Sequence, residues 1–196
     1  MGTLTSFSLS SYIESYGIET FIETGTYKGD GLEYASRFGF KNLFSIELMD
    51  KFYLESLGRF SGDPRVSIIK DTSIDGLEKI TKEMESKCIF WLDAHLPNFY
   101  DPSYGNDYSG QKELLIPLED ELKVIKNNKD IRGDVFIIDD IRIYENDNYQ
   151  SGNWTDTEET KVRGIDFIRD ILSETHNIQK DLRDEGYLIC TPKGEI

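Results

Sequence analysis

Two short apolar runs in this sequence end in acids: Ile89-Phe-Trp-Leu-Asp-Ala-His95 and Phe136-Ile-Ile-Asp-Asp-Ile-Arg142. As parallel strands they would collect Asp93, Asp139 and Asp140 at one edge of a sheet. Carboxylates so placed repel one another and raise some of their own pKa values. A hard divalent cation relieves that repulsion, and Mg2+ commonly takes two carboxylates with water and substrate oxygens. A plainer reading has Asp140 capping the segment that follows while Arg142 neutralises Asp139. His95 is one of two histidines. Its imidazole titrates near neutral pH, which makes it a candidate general base for a hydroxyl proton, a structural hydrogen bond being the alternative. His176 falls near a predicted helix end and reads as a cap.

A second set of residues suits binding. In Phe21-Ile-Glu-Thr-Gly-Thr-Tyr-Lys-Gly29, Gly25 permits a tight turn and a close backbone approach to a ligand, and Gly29 opens a helix. The string lacks the Gly-Lys-Ser/Thr ending of a P-loop and the full glycine spacing of a dinucleotide site. The next run ends Leu43-Phe-Ser-Ile-Glu47, and a carboxylate at that point can accept both hydroxyl protons of a ribose. Glu47 alone would equally be a solvated strand-end acid. Together with the glycine turn it points to a nucleoside-containing cofactor.

The elements that must position these residues alternate. Strand candidates are Thr20–Glu23, Leu43–Ile46, Val66–Lys70, Cys88–Asp93 and Val135–Asp139, unbroken apolar runs of the kind covered on both faces. Between them lie helical stretches at Asp30–Arg37, Asp50–Phe60, Ser73–Lys82 and Lys112–Ile125, preceded by one at Ser10–Tyr16. Such alternation means right-handed crossovers and a mostly parallel sheet. A helix at Arg163–Glu174 is followed by runs Ile178–Leu182 and Tyr187–Thr191, whose link, Arg-Asp-Glu-Gly, is too short for a crossover and predicts an antiparallel hairpin. Residues 1–196 read as one domain. Segments 96–112 and 144–162 are acceptor-loop candidates, the first carrying Phe99, Tyr100, Tyr104 and Tyr108, the second Tyr149 and Trp154. Their aromatics suit an acceptor, the packing of a long loop, or a homo-oligomer contact. In Pro117-Leu-Glu-Asp-Glu-Leu122 the acids suit a helix N-terminus, with Glu119 the one that would face the site.

The chain carries 37 acidic against 22 basic residues, a formal charge of −15. That balance argues against a nucleic-acid partner and against docking on an anionic membrane. No apolar segment is long enough to span a bilayer, no secretory leader is visible, and the expected address is the cytoplasm. Cys88 and Cys190 lie inside apolar runs and read as buried strand residues.

The motifs Glu23-Thr-Gly-Thr-Tyr-Lys-Gly29, Glu47 and Lys70-Asp-Thr-Ser73 resemble those of the class I S-adenosylmethionine-dependent methyltransferases over residues 18–192. The resemblance implies a Rossmann-like α/β fold, a seven-stranded mostly parallel sheet of order 3-2-1-4-5-7-6 with helices on both faces. It also implies S-adenosylmethionine as cofactor. Glu23, Thr24, Gly25 and Gly29 would then form the loop at its methionine portion, Glu47 would hold the ribose, and Asp71 and Ser73 would flank the adenine. The strand-end acids resemble those of metal-dependent small-molecule O-methyltransferases of the catechol and macrocin types, which implies Mg2+ on Asp93, Asp139 and Asp140, orienting vicinal hydroxyls of an acceptor. Methyl transfer to a hydroxyl of a small, sugar-like or polyhydroxylated acceptor follows as the expected function, with His95 and Asp93 as the catalytic pair. A non-catalytic cofactor-binding or regulatory module on the same fold is the alternative.

Overall fold

The computed structural model describes residues 3–95, 112–154 and 164–194, without the side chains of Lys112 and Glu113. Seven strands form one sheet: β1 Thr20–Thr24, β2 Asn42–Glu47, β3 Val66–Lys70, β4 Cys88–Leu92, β5 Val135–Ile138, β6 His176–Asp181 and β7 Tyr187–Pro192. Their order is β3-β2-β1-β4-β5-β7-β6. The first five pair in parallel, and β7 runs antiparallel to both β5 and β6. Every residue of β1, β4 and β5 is buried, whereas β3 and β6 at the edges are partly exposed. That difference follows from the apolar content of the central runs.

Seven α-helices are described: α1 Leu9–Tyr16, α2 Asp30–Ser36, α3 Asp50–Phe60, α4 Ser73–Thr81, α5 Lys112–Leu115, α6 Leu118–Asn128 and α7 Asp166–Leu172. Alternation along the strands splits the core between two faces. Phe21, Leu43, Ile89 and Ile137 point to the side of α1 and α2, where they meet Leu9, Leu32 and Ala35. Ile22, Phe90, Phe136 and Ile138 point to the other, against Leu77, Leu122, Ile125 and Ile168 of α4, α6 and α7.

The structure departs from the sequence-based expectations where tertiary partners decide. The predicted helix Lys112–Ile125 is broken at Pro117, which lacks the N–H to continue α5 and whose carbonyl receives the N–H groups of Asp120 and Glu121 as α6 begins. The predicted helix at Arg163–Glu174 is shorter, because Gly164 has φ +72° and the chain turns into β6 after Leu172. His176 is no helix cap. It is the first residue of β6, 1% exposed, with Nε2 3.0 Å from the Asp134 carbonyl and Nδ1 2.8 Å from the Thr175 hydroxyl. Cys88 and Cys190 are buried and free, as the apolar runs imply. Among the described residues no helix is long and apolar enough to cross a membrane.

At the amino ends of β4 and β5, Lys129 and Asp134 form an ion pair at 2.7 Å, their side chains 3% and 1% exposed. Asp134 Oδ1 also accepts the Cys88 N–H at 2.8 Å, tying both strands to the end of α6. Removing one partner of a buried pair strands the other. Lys129→Met is therefore expected to lower unfolding free energy by about 3 kcal/mol in urea titrations; a loss below about 1 kcal/mol would show the pair to be dispensable.

Candidate active site

The sheet's strand order reverses between β1 and β4, the place where open α/β sheets leave a crevice beyond the strands' carboxyl ends. A cavity of about 300 Å³ lies there, with Glu23, Gly25, Glu47, Ser73, Asp93 and His95 in its wall. Ile46, Met49, Phe52 and Leu114 add apolar surface, and Thr3 and Leu4 close one side.

Gly25 is required by the chain's own packing. Its φ is +82°, and a Cβ would lie 3.0 Å from the Asp93 carbonyl oxygen and 3.2 Å from Ala94 Cα. The turn after β1 thus runs directly against the backbone leaving β4. Gly31, in the first turn of α2, is a residue that the motif reading missed: a Cβ there would sit 2.2 Å from Glu23 Oε1. Glu23 is 2% exposed and accepts the Ser45 hydroxyl proton at 2.7 Å. Burial, with the charges of Glu47 and Asp30, pushes its carboxyl up to about 8 despite that bond.

Glu47 is held by the backbone on both oxygens: Oε2 accepts the Tyr27 N–H at 2.8 Å and Oε1 the Met49 N–H at 2.7 Å. Burial raises its pKa, opposed by these same bonds. Each oxygen retains a second lone pair for a ligand hydroxyl. Ser73 lines the cavity at the start of α4. Asp71 is outside the lining residues: its Oδ1 accepts the Thr72 N–H at 2.9 Å, and its other oxygen pairs with Lys79. Thr24 and Gly29 also lie outside the lining. Thr24 Oγ1 accepts the Asp93 N–H at 3.3 Å, and Gly29, with φ +80°, abuts the Phe60 ring.

Beyond β4 and β5 the acids converge as their strand positions predict, with partners of their own. His95 Nε2 lies 2.8 Å from Asp140 Oδ2, and His95 Nδ1 lies 3.5 Å from Asp93 Oδ1. Arg142 Nε donates to Asp140 Oδ1 at 2.8 Å. Arg142 therefore neutralises Asp140 and not Asp139, and the Asp140 side chain makes no capping bond to the turn that follows it. Asp139 Oδ1 accepts the Asp140 N–H at 2.7 Å. Burial raises Asp93 well above the carboxylate range, with Asp139, Asp140 and Glu23 adding to it. Burial and Asp140 likewise bring Asp139 up to about 7. Burial opposes the ionised Asp140, but His95 and Arg142 outweigh it and hold that carboxyl low. His95 is raised, its burial overcome by Asp140 and Asp139.

This donor set does not fit Mg2+ as expected. Both oxygens of Asp140 already face cationic or N–H donors, and among the described residues no three His, Cys, Asp or Glu side chains are placed to hold a metal ion.

The inward acid of α6 is Glu121, whereas Glu119 pairs with Lys123 in solvent. Glu121 is 1% exposed, and its Oε1 has no hydrogen-bond partner. It borders a space of about 10 Å³ shared with Asp93, His95 and Asp139, room for about one water. Burial pushes its carboxyl up to about 7. Its position one turn from Leu118 and Ile125 was the available signal, because that spacing puts all three on one face. Of the expected acceptor loops, residues 96–111 and 155–163 lie outside the described residues, and with them Phe99, Tyr100, Tyr104 and Tyr108. Tyr144 and Tyr149 are core residues, each 5% exposed, and Trp154 packs on that core beneath Arg142.

Glu23, Glu121 and Asp139 thus bind protons in the folded protein at pH values where the unfolded chain has lost them. Stability of the protein alone should fall as pH rises from about 5 to 8. Glu23→Gln is expected to remove about 3 kcal/mol of that fall in denaturant titrations. An unchanged pH profile would mean that Glu23 titrates normally.

No protein-family model matches the sequence, and no curated protein matches it. Solved structures do match its fold. The SAH-bound methyltransferase PaMTH1 of Podospora anserina superposes with a TM-score of 0.61 over 95% of this chain and 76% of its own, at 11% identity. A proposed caffeoyl-CoA O-methyltransferase of Staphylococcus aureus gives 0.64 over 98% and 85%, at 13% identity. Spermidine synthase from Thermotoga maritima gives 0.51 over 90% of this chain and 53% of its own, at 10% identity, so the same sheet also underlies an enzyme named for another reaction. The sheet order, the terminal hairpin and these matches together give the chain the fold of the class I S-adenosylmethionine-dependent methyltransferases.

Proposed function

We propose that the protein transfers the methyl group of S-adenosylmethionine to a hydroxyl of a small, polyhydroxylated acceptor. The observation that carries this reading is a single cavity whose wall holds both a cofactor-type acid, Glu47 fixed by two backbone N–H groups, and an acid–base pair, His95 with Asp93. Bound S-adenosylmethionine supplies a methyl group already activated by its sulfonium.

The chain's own residues do the rest. Glu47 accepts the hydroxyl protons of a ribose, and Glu23, buried beneath Gly31, faces a cationic amine. Gly25 sets the height of the floor, with Thr24 and Gly29 fixing the turn on either side. Ser73 lies beside the base, and Asp71 supports that loop through Thr72 and Lys79. Apolar Ile46, Met49 and Phe52 exclude water. His95, with Nε2 2.8 Å from Asp140 Oδ2, is the group that moves the proton of the acceptor hydroxyl. Mg2+ has no step here, given the partners already on Asp140. A non-catalytic module would need Glu47 and Glu23 but has no use for the His95 pair in the same wall.

Calorimetric titration with S-adenosylhomocysteine should show one saturable site, weakened at least about tenfold, or 1.4 kcal/mol, by Glu47→Ala. No heat in the unaltered protein would remove the cofactor assignment. His95→Ala should bind S-adenosylhomocysteine as before and lose about 100-fold or more of turnover on a responsive hydroxylated acceptor.

A further inference from the structure

We infer that Tyr187 is a positioning residue for the amino-acid arm of the cofactor. It does not line the cavity itself; its hydroxyl pins Thr3 and Leu4, which do. Those two residues tell a ligand that has the arm from one that lacks it. The inference rests on the proposed cofactor and names the part of the chain that reads one end of it.

Thr3 and Leu4 meet the cavity at a definite end. Leu4 is 2% exposed and belongs to the apolar face that also holds Phe7, Leu32 and Trp91. Beside Leu32 stands Gly31, where a Cβ would press on the Glu23 carboxylate and lie 4.0 Å from Trp91 Nε1. The wall at Thr3 and Leu4 is therefore continued by β1, α2 and β4, the side on which Glu23 faces an amine. Glu47 closes β2 and Ser73 follows β3, so the residues proposed for the nucleoside lie across β1 from β4.

Residues 3–7 are tied down at both ends. At one, the Tyr34 hydroxyl donates to the Phe7 carbonyl at 2.9 Å, and the Phe7 ring meets Tyr187 edge-on at 5.0 Å. At the other, the Thr3 N–H donates to the Tyr187 hydroxyl oxygen at 3.0 Å. That hydroxyl gives its one proton to Asp184 Oδ2 at 2.8 Å, which leaves a lone pair for Thr3. Asp184 is held in turn: Gln150 Oε1 accepts its N–H at 3.2 Å, and its carbonyl accepts the Ser151 N–H at 2.8 Å. Directly after it, the Glu185 and Gly186 carbonyls accept the N–H groups of Arg142 and Ile141, next to Asp139 and Asp140. The β6–β7 turn thus braces the cofactor wall and the acid cluster together.

A wall already in place need not be ordered when the ligand binds, and affinity rises accordingly. Without the tie, Thr3 and Leu4 must be ordered on binding, and only a ligand that touches them loses affinity. A merely structural hydroxyl would weaken every ligand alike.

Calorimetry on the full chain compares S-adenosylhomocysteine with 5′-methylthioadenosine, which keeps the nucleoside and thioether and lacks the amino-acid arm. The unaltered protein should prefer S-adenosylhomocysteine by about tenfold or more. Tyr187→Phe, which keeps the buried ring, should cut that preference at least about fivefold, through weaker S-adenosylhomocysteine binding. An unchanged ratio overturns the inference, even where both affinities fall together. Equal affinities in the unaltered protein overturn it as well. Should Tyr187→Phe fail to fold, Asp184→Gly, which leaves the ring and removes the partner that aims its hydroxyl, is read in the same way. If the unaltered protein binds neither ligand, the cofactor reading falls and this inference with it; an unchanged ratio with binding intact overturns this inference alone.

Discussion

Carboxylates taken out of water must be compensated, and this protein gathers five of them, Glu23, Glu47, Glu121, Asp139 and Asp140, at one end of its sheet with none more than 6% exposed. Each is compensated differently. Glu47 is wrapped by backbone N–H groups and Asp140 by Arg142 and His95. Glu23 leans on a hydroxyl, and Glu121 and Asp139 are pushed toward their neutral forms. Much of the site's construction follows from this one demand. The hairpin turn brings Glu185 to Arg142, α6 carries Glu121 inward, and Ser45 faces β1 from β2. The repulsion that a sequence reader would resolve with a metal is resolved here largely by the chain itself.

The sheet was legible because its signal is local. Unbroken apolar runs marked β1, β4 and β5, and a four-residue link marked the hairpin, since no crossover fits so short a connection. The range Val66–Lys70 for β3 and Asp50–Phe60 for α3 agree with the structure to the residue. Pro117 should have divided the long predicted helix, but the apolar period on both sides of it hid the break. Glu23, Glu47, Asp93 and His95 line one cavity, a proximity legible in the sequence because strand ends are readable and strand order places them together.

What stayed hidden was the pairing. Nothing in Asp-Asp-Ile-Arg says which aspartate the arginine will choose; that is set by the positive φ of Asp140 and by a hairpin some forty residues later. Glu119 and Glu121 differ only in helical phase. Gly31 has nothing in its sequence neighbours to mark it; the Glu23 carboxyl packed against it is what excludes a side chain there. Asp71 stood at the expected position in the motif but turned toward Lys79. Position along the chain therefore predicted proximity, while partner choice depended on contacts from distant segments.

The cavity wall contributed by Thr3 and Leu4 is fastened to β7, more than 180 residues later in the sequence. The Thr3 N–H donates to the Tyr187 hydroxyl at 3.0 Å, and the Phe7 ring meets that of Tyr187 edge-on at 5.0 Å. Contacts between such remote segments close late, since the intervening chain must first be ordered. During synthesis the first residues of the wall are made early and wait for β7 to leave the ribosome. A nascent chain thus carries the glycine turn and Glu47 before Thr3 and Leu4 have the β7 residue that fastens them at the cavity wall.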